Sequence, residues 1–467
     1  MTTFDTIVVG AGISGLTTAH RLARLSRSVA IVDAAPAAGG VIGTRRRDGF
    51  LYETGPNSTL DTTPLINALL SDLGIANERI DANAVAATRY VVRDGRLIPL
   101  PGSPRAFLRT KAFTLAAKLR LLREPFIQRT RSGVDESIAT FARRRLGAEF
   151  LEYAIDPFVA GIYAGDPERI SVGAAFPRLL ALELAHGSLI KGQIAGARAR
   201  KKDKEVAKNV ASSFSFRGGM QTLTDALAKA LPPIEYGTKV QRVVRDEDGS
   251  FAVEGIRNGA PVAWRASSVV VAAPAHATAS MIVGIAPDAA MALAAVDYAP
   301  IAIVASAYRR ADVAHSLAGF GFLVPRREHE HILGCLFSSS MFVGRAPEGS
   351  VLLTSFAGGR RNPEIESATD AEVASMVREE LAARLGADGA PLWQEVIRWP
   401  QAIPQYDIGH LDRMRRIDAA EAAVPGLYFC ANYRGGVAVG DRIKMGQFTA
   451  EQVDAFIAAR AGASDVR

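Results

Sequence analysis

Residues 6–33 constrain this chain more than any other stretch. Thr6-Ile7-Val8-Val9 is a β-branched run that reads as a strand. Gly10-Ala11-Gly12-Ile13-Ser14-Gly15 follows without a gap, and residues 16–25 carry Leu16, Ala19, Leu22 and Ala23 at helical spacing. Val29-Ala30-Ile31-Val32 is a second strand and ends on Asp33. Each part of this βαβ unit has a physical job. Gly10 lets the chain turn sharply out of the strand, Gly12 lets a pyrophosphate approach the backbone, and Gly15 lets the helix pack close to the sheet. The helix start, with Ile13 and Ser14 in its first turn, offers free N–H groups to phosphate charge. Asp33 can accept hydrogen bonds from ribose hydroxyls. The unit predicts dinucleotide binding rather than a mere tight turn, and NAD and FAD both fit it.

A chain of 467 residues is too long for one simple core, so two or three domains are expected. Its apolar share of 48% is that of a soluble α/β protein and excludes a disordered chain. Cys335 and Cys430 stand far apart, without metal spacing or a disulfide framework, which fits a reducing compartment and two small buried side chains. The start, Met1-Thr2-Thr3-Phe4-Asp5, has no basic segment followed by an apolar one, so no signal peptide is expected. The alanine-rich stretch 269–296 contains Pro274, His276, Pro287 and Asp288 and reads as strand, turn and helix, not a membrane span. His329 and His331 flank Glu330 in a polar stretch and read as loop or strand residues, and no histidine cluster suggests a metal site.

After Asp33 the chain runs through Gly39-Gly40, Thr44, and Gly49-Phe50-Leu51-Tyr52-Glu53-Thr54-Gly55-Pro56-Asn57. The residues alone also allow a plain β-hairpin with glycine turns here. The glycine motif, the acid, GG-x-x-x-T and GF-x-x-E-x-GP together resemble the flavin amine oxidase and protoporphyrinogen oxidase superfamily, in which this block wraps FAD. Residues 65–73 predict a short helix, and 88–93 and 96–101 predict a hairpin turned at Asp94-Gly95. Residues 105–131 change character. Arg105, Arg109, Lys111, Lys118, Arg120, Arg123, Arg129 and Arg131 alternate with Phe107, Leu108, Phe113, Leu115, Leu119, Leu122, Phe126 and Ile127 at helical intervals. Such a segment can lie on an anionic bilayer surface. It can equally be a basic solvated face over a core helix. Nucleic-acid binding is not expected, because the aromatics form no stacking platform.

Pro157-Phe158-Val159-Ala160-Gly161-Ile162-Tyr163-Ala164-Gly165-Asp166-Pro167 is the most distinctive text, and it resembles the protoporphyrinogen oxidase family closely. There a helix ends in a loop near the substrate. Residues 191–215 are rich in Ala, Lys, Arg and Ser and read as a mobile, solvated connection. Strands are expected at 234–244, 251–256, 269–273, 299–307 and in the runs around 320, 335 and 355, the last group forming one antiparallel sheet. Helices are expected at 372–385 and 442–459. Ala402-Ile403-Pro404-Gln405-Tyr406 and Asn432-Tyr433-Arg434-Gly435-Gly436-Val437-Ala438-Val439 continue the family's text in the family's order.

The resemblance implies a Rossmann-like α/β FAD-binding domain (1–84, 214–276 and 400–467), an antiparallel-sheet substrate domain (85–98, 177–213 and 277–399) and a helical membrane-associating insertion (99–176). It implies FAD-dependent oxidation of protoporphyrinogen IX to protoporphyrin IX with O2 as acceptor and release of H2O2. Coproporphyrinogen III is the alternative within the family, and an amine oxidase or desaturase the broader competitor. A flavin-binding chaperone without turnover is the reading from another class. The FAD residues so implied are Gly10, Gly12, Ile13, Ser14, Gly15, Asp33, Gly39, Gly40, Thr44, Gly55, Pro56, Asn57, Val240, Trp399, Tyr433, Gly435, Val437, Ala438 and Val439. Asp33 departs from the family, which more often has Glu there.

No side chain is implied as catalytic, since the flavin carries the chemistry. For substrate the resemblance implies Arg89 on a propionate, Phe356 stacked on a pyrrole, Leu323 and Leu336 as apolar plates, and Gly161 and Gly165 in the loop that brings backbone near the ring. A backbone carbonyl of that loop would stabilise the pyrrole N–H groups. From the residues alone, Arg89 also reads as a surface strand arginine and Phe356 as core. The family further implies a peripheral position on the cytoplasmic face of the cell membrane and leaves a homodimer open.

Overall fold

The computed structural model describes residues 3–130, 133–199 and 211–464. Arg131 and the 200–210 part of the expected connection lie outside the described residues. The remainder of that connection is ordered as helix Leu189–Ala199 and strand Ser213–Phe216.

Strand Thr3–Val9 lies at the centre of the first sheet, where both its faces are covered. It pairs in parallel with Val29–Val32 on one side and with the end of Ala260–Val271 on the other. These strands are continuous apolar runs because neither face meets water. Leu427–Phe429 adds a further parallel pair at Val269–Val271. The earlier half of Ala260–Val271 closes an antiparallel meander with Phe251–Arg257 and Thr238–Arg245. Helices Ile13–Arg24 and Val439–Ser464 fill one face, and Ala275–Ile282, Pro287–Ala294 and His410–Ala423 fill the other.

The second sheet has seven strands, in the order Trp393–Pro404, Tyr298–Arg309, Ser350–Gly358, Ile332–Leu336, Gly321–Leu323, Arg89–Arg93, Arg96–Pro99. All neighbours are antiparallel except Gly321–Leu323 with Arg89–Arg93. The hairpin at the edge turns on Asp94 and Gly95, both at positive φ (49° and 74°), as a two-residue turn between right-twisted strands requires. Helix Asp370–Leu385 covers one face through Val373, Val377, Leu381 and Leu385 and starts with a full capping box, Thr369 to Glu372. The other face receives hairpin Thr44–Arg47/Phe50–Glu53, whose Phe50 and Tyr52 rings meet Trp393 at 5.4 and 5.1 Å. The glycine-turned hairpin allowed by the sequence is therefore present, and it joins the two sheets.

The third unit is helical, and residues 105–131 are not one helix. They form Pro104–Arg109 and Leu115–Leu121, capped by Ser103 and Thr114, and a short turn at Glu124–Phe126. Phe107 and Phe113 turn inward onto Phe150, with Phe113 stacked at 4.2 Å. The unit is held by a buried ionic cluster. Arg145 is fully buried between Glu124 and Glu183, and Glu124 also accepts from Ser188 Oγ (2.5 Å) and Leu189 N–H (2.8 Å). Helix Pro177–His186 thus packs on the helical unit and not on the second sheet. Helices Ala275–Ile282 and Pro287–Ala294 likewise pack on the first sheet, so the expected limits shift at both places. Among the described residues no helix is long and apolar enough to cross a membrane, and no His, Cys, Asp and Glu group could hold a metal ion.

Candidate functional site: a dinucleotide cradle beside an apolar sheet face

The glycine turn is built as its spacing demands. Gly10 sits at φ +114°, and a Cβ on Gly15 would fall 1.9 Å from the Gly10 carbonyl oxygen, so the helix touches the turn through a bare Cα. Gly12 differs, for a Cβ there would meet nothing within 4 Å. The turn is open where a phosphate would approach. The helix begins with Leu16 N–H bonding to Gly12 O (2.9 Å), so the amides of Ile13, Ser14 and Gly15 lie outside the helical ladder, and no side chain caps them. An open glycine beneath an uncapped helix start fits a pyrophosphate.

Asp33 stands at the end of Val29–Val32, and its carboxylate is turned onto the glycine loop. One oxygen accepts from Ala11 N–H and the other from Ala35 N–H (2.7 Å). Each oxygen keeps a second lone pair, so a ribose hydroxyl can still donate. Asp33 O also accepts from Thr238 N–H, which brings the buried Val240 segment alongside. Gly39 N–H donates to Ala11 O (2.9 Å), and a Cβ on Gly40 would lie 3.4 Å from the Gly12 Cα, so the glycine pair folds back over the first turn.

The neighbouring positions serve mainly as supports. Thr44 Oγ1 donates to Glu53 (2.6 Å) and accepts from Gln221 N–H. Glu53 is itself buried beside Arg345 (3.4 Å), and burial pushes its carboxyl up against the opposing pull of Thr44 and Arg345. A Cβ on Gly55 would strike Val41 O at 1.9 Å. Pro56 and Asn57 are half-buried beyond it, and Trp399 Nε1–H donates to Thr54 O (2.6 Å).

The chain's end returns to its beginning. Gly446 of Val439–Ser464 packs on the opening helix, where a Cβ would lie 2.9 Å from Thr17 and 3.0 Å from Ser14 O. The turn before this helix holds Tyr433, fully buried, then Gly435 and Gly436 at φ +74° and +106°, then Val437 and Ala438. Tyr406 supports it. Its hydroxyl donates to Asn432 O (2.6 Å) and accepts from Gly436 N–H (3.1 Å), and burial pushes that hydroxyl up to about 12, so it stays protonated. His410 stacks on Tyr406 at 4.2 Å and donates through Nε2 to Tyr433 O (2.9 Å).

The proposed substrate side chains come together on the second sheet. Cross-strand partners share a face, as do residues two apart on a strand. One row runs Val91, Leu323, Gly334, Phe356, Ile303, and the next runs Arg89, Gly321, Leu336, Thr354. Arg89, Leu323, Leu336 and Phe356 therefore line one face in two adjacent rows. Leu323, Leu336 and Phe356 are half-buried, and Gly334 stands between Leu323 and Phe356, where a Cβ would lie 3.2 Å from the Leu323 side chain. Arg89 is exposed, lies over the Phe320 ring (5.1 Å), and pairs with no carboxylate among the described residues. Helix Asp156–Tyr163 covers this face, and Gly161 lies where a Cβ would touch Leu323 at 3.0 Å.

One expectation for the loop changes. Gly165 is buried, and the space beside it is filled by Gln405 Oε1 and Ile170 Cδ1, each 2.5 Å from where a Cβ would stand. It is a packing glycine. The carbonyls of Tyr163, Ala164 and Asp166 already accept from Gln405 Nε2 and the amides of Arg360 and Ile170. Each has a lone pair engaged in this way.

The sequence reading missed Gln405, Tyr406 and Gly334 as site residues. A glycine inside a strand is a signal for a bulge or a close approach, and the ladder does shift register between Ile332 and Gly334.

Residues 13–454 match the family of flavin containing amine oxidoreductases. The chain is 33% identical to the mitochondrial protoporphyrinogen oxidase of Nicotiana tabacum, over 96% of this chain and 94% of that protein. It is 30% identical to the coproporphyrinogen III oxidase of Bacillus subtilis (strain 168), over 94% and 96%. A crystal structure from Exiguobacterium sp. 255-15 superposes with a TM-score of 0.79 at 23% identity, over 97% of this chain and 99% of that one, so the fold is shared.

Proposed function

The chain belongs to the flavin containing amine oxidoreductases, with FAD as cofactor, and we propose that it oxidises protoporphyrinogen IX to protoporphyrin IX with O2 as acceptor. The observation that carries this reading is the shared face of Arg89, Leu323, Leu336 and Phe356, with Gly334 between two of them. A porphyrinogen is a wide apolar ring with carboxylate arms, and this face offers apolar plates with a cation at one edge.

Bound FAD supplies the acceptor for hydride equivalents, which O2 then removes as H2O2. The chain's own residues do the rest. Arg89 holds a propionate through its planar fork. Leu323, Leu336 and Phe356 clasp the ring and exclude water, and Gly161 lets the covering helix approach Leu323 closely. The guanidinium groups around that helix already carry acids: Arg326 with Asp166 (3.2 Å), Arg327 with Glu152 (3.2 Å) and Arg361 with Asp156 (2.6 Å). That pairing favours a dicarboxylate over the four carboxylates of coproporphyrinogen III. Parallel turnover of both porphyrinogens, followed by porphyrin fluorescence and H2O2, tests the reading. A kcat/KM at least tenfold higher for protoporphyrinogen is expected, and a preference for coproporphyrinogen overturns it.

Peripheral membrane attachment through the helical unit, on the cytoplasmic face, belongs to the same proposal. Leu115, Leu119 and Leu122 project outward at helical spacing, 72, 55 and 67% exposed, and Leu108 and Phe126 flank them at 71 and 86%. Arg105, Arg109 and Arg123 are exposed around this patch. Lys118 and Arg120 are engaged elsewhere: Lys118 Nζ donates to Leu108 O and Thr110 O, and Arg120 to Arg144 O (2.8 Å). Flotation with phosphatidylglycerol vesicles should be lost on Leu115→Ser/Leu119→Ser/Leu122→Ser and weakened by Arg105→Glu/Arg109→Glu/Arg123→Glu. Flotation unchanged in both variants rejects the attachment.

A further inference from the structure

The segment Ala402–Tyr406 lies between the two halves of the site, and its last two residues reach in opposite directions. Gln405 Nε2 donates to Tyr163 O (2.8 Å), at the end of the helix that covers the substrate face, and to Ile403 O (2.9 Å). These two carbonyl acceptors fix which end of the amide is nitrogen, so Oε1 is the end that fills the space beside Gly165. The backbone of Gln405 is anchored too, through its N–H to Asp297 O (2.8 Å). Tyr406, the next residue, points the other way. Its hydroxyl bridges Asn432 O and Gly436 N–H, the two ends of the turn that precedes the closing helix. Tyr406 O accepts from Ser171 N–H (2.8 Å), and the ring lies between His410 (4.2 Å, 13° between planes) and Tyr163 (5.5 Å). Both side chains are about 98% buried. A ring stack and three hydrogen bonds, from Gln405 to Tyr163 O and between the Tyr406 hydroxyl and Asn432 O and Gly436 N–H, therefore join the loop 161–167 to the turn 432–438 through one dipeptide.

We propose that Gln405 and Tyr406 are paired positioning residues, which set the separation of the substrate loop from the flavin-facing turn. The inference rests on the reading above for which side faces which ligand. It assigns the requirement for glycine at 165 to the Gln405 amide together with Ile170. It also makes the motif around Tyr163 and the motif around Tyr406 two halves of one device. Neither side chain is catalytic. Each acts through backbone it holds.

Tyr406→Phe keeps the ring stack and removes the hydroxyl. Gln405→Leu keeps the bulk and removes the amide, and Gln405→Asn, which withdraws the amide by one methylene, is the second variant should Leu not fold. Four readouts are needed: FAD affinity of the apoprotein, the visible circular dichroism of bound flavin, amide exchange over 161–167 and 432–438, and single-turnover flavin reduction by protoporphyrinogen IX. Tyr406→Phe is expected to weaken FAD binding about tenfold, the loss of a hydrogen bond or two. It should also alter the flavin dichroism and speed exchange at 432–438, with 161–167 unchanged. Either Gln405 variant should speed exchange at 161–167 and raise the substrate dissociation constant about tenfold, leaving FAD affinity alone.

Each single variant should slow flavin reduction at saturating substrate about tenfold, and the double variant by less than the product of the two. Equal FAD affinity, dichroism and exchange in wild type and Tyr406→Phe would overturn the proposal, as would rate losses in the double variant that simply multiply. The substrate reading fails separately. If wild type binds FAD but is not reduced by either porphyrinogen, that reading falls, while the FAD affinity and exchange data still decide the positioning role.

Discussion

His410 makes the flavin-side turn sensitive to acid, by an amount that can be worked from its surroundings. Its Nε2–H is committed to Tyr433 O, while Nδ1 is buried with no hydrogen-bond partner. Protonation would place a charge and a second donor in a site with nothing to accept it. Burial, reinforced by Arg413 and opposed by the Tyr433 carbonyl and Asp135, lowers the imidazole from 6.5 to about 4. The unfolded chain therefore binds a proton that the folded chain refuses across this window. The stability from a neutral His410 is complete above about pH 6.5 and is lost as pH falls through about 4. At 1.36 kcal/mol per pH unit, that loss approaches about 3 kcal/mol at the acid end. His410→Gln keeps a donor for Tyr433 O and cannot titrate. Urea unfolding at pH 7.5 and pH 4.5, with flavin fluorescence as a second probe, should show the variant less stable at neutral pH. The gap to wild type should narrow by about 2–3 kcal/mol in acid. Parallel stability curves would refute the reasoning, because the histidine would then carry the same proton in both states.

Arg89→Ala should raise KM for the porphyrinogen by tenfold or more, the worth of a charged hydrogen-bond pair of about 1.5–3 kcal/mol, with the melting temperature unchanged because the side chain is exposed. An unchanged KM removes it from the site. Gly12→Ala and Gly15→Ala should part company: the first folds and loses FAD affinity at least tenfold by titration, since its Cβ enters open space. The second loses soluble yield, since its Cβ would strike Gly10 O. Arg145→Met leaves Glu124 buried without its cation and Glu183 with Arg144 alone, and should destabilise the helical unit by about 3–5 kcal/mol, read as faster limited proteolysis between residues 105 and 199.

The legible parts of this protein are those whose physics is local. The βαβ unit is readable because strand, turn, helix and acid are contiguous and Gly15 answers a steric demand of the nearby Gly10 carbonyl. The Asp94-Gly95 hairpin and the strands around 303, 335 and 355 follow for the same reason. Residues 105–130 carry helical periodicity, yet they form three short pieces. Ser103 and Thr114 are N-caps and Pro125 stands at the start of the Glu124–Phe126 turn, so the breaks are written in the sequence. Arg145 is fully buried because Glu124 and Glu183, distant in sequence, enclose it. The shared face of Arg89, Leu336 and Phe356 depends on register across four strands, and the interlock of Gly165 with Gln405 depends on side-chain packing. Neither leaves a trace in the spacing.

Asp33 shows how a motif can place a residue and still leave half its work unseen. The sequence puts a carboxylate at the end of the second strand, which suits a ribose. The structure adds that both oxygens already hold amides, Ala11 in the glycine loop and Ala35 beyond the strand. A longer acid would carry its oxygens past the Ala11 amide. The shorter side chain reaches it, and so ties the strand end to the turn beneath which Gly12 lies open. The acid therefore shapes the glycine turn itself. A shorter residue at this position is consistent with FAD binding for a physical reason: its carboxylate preorganises the loop, so less ordering is left for the cofactor to impose.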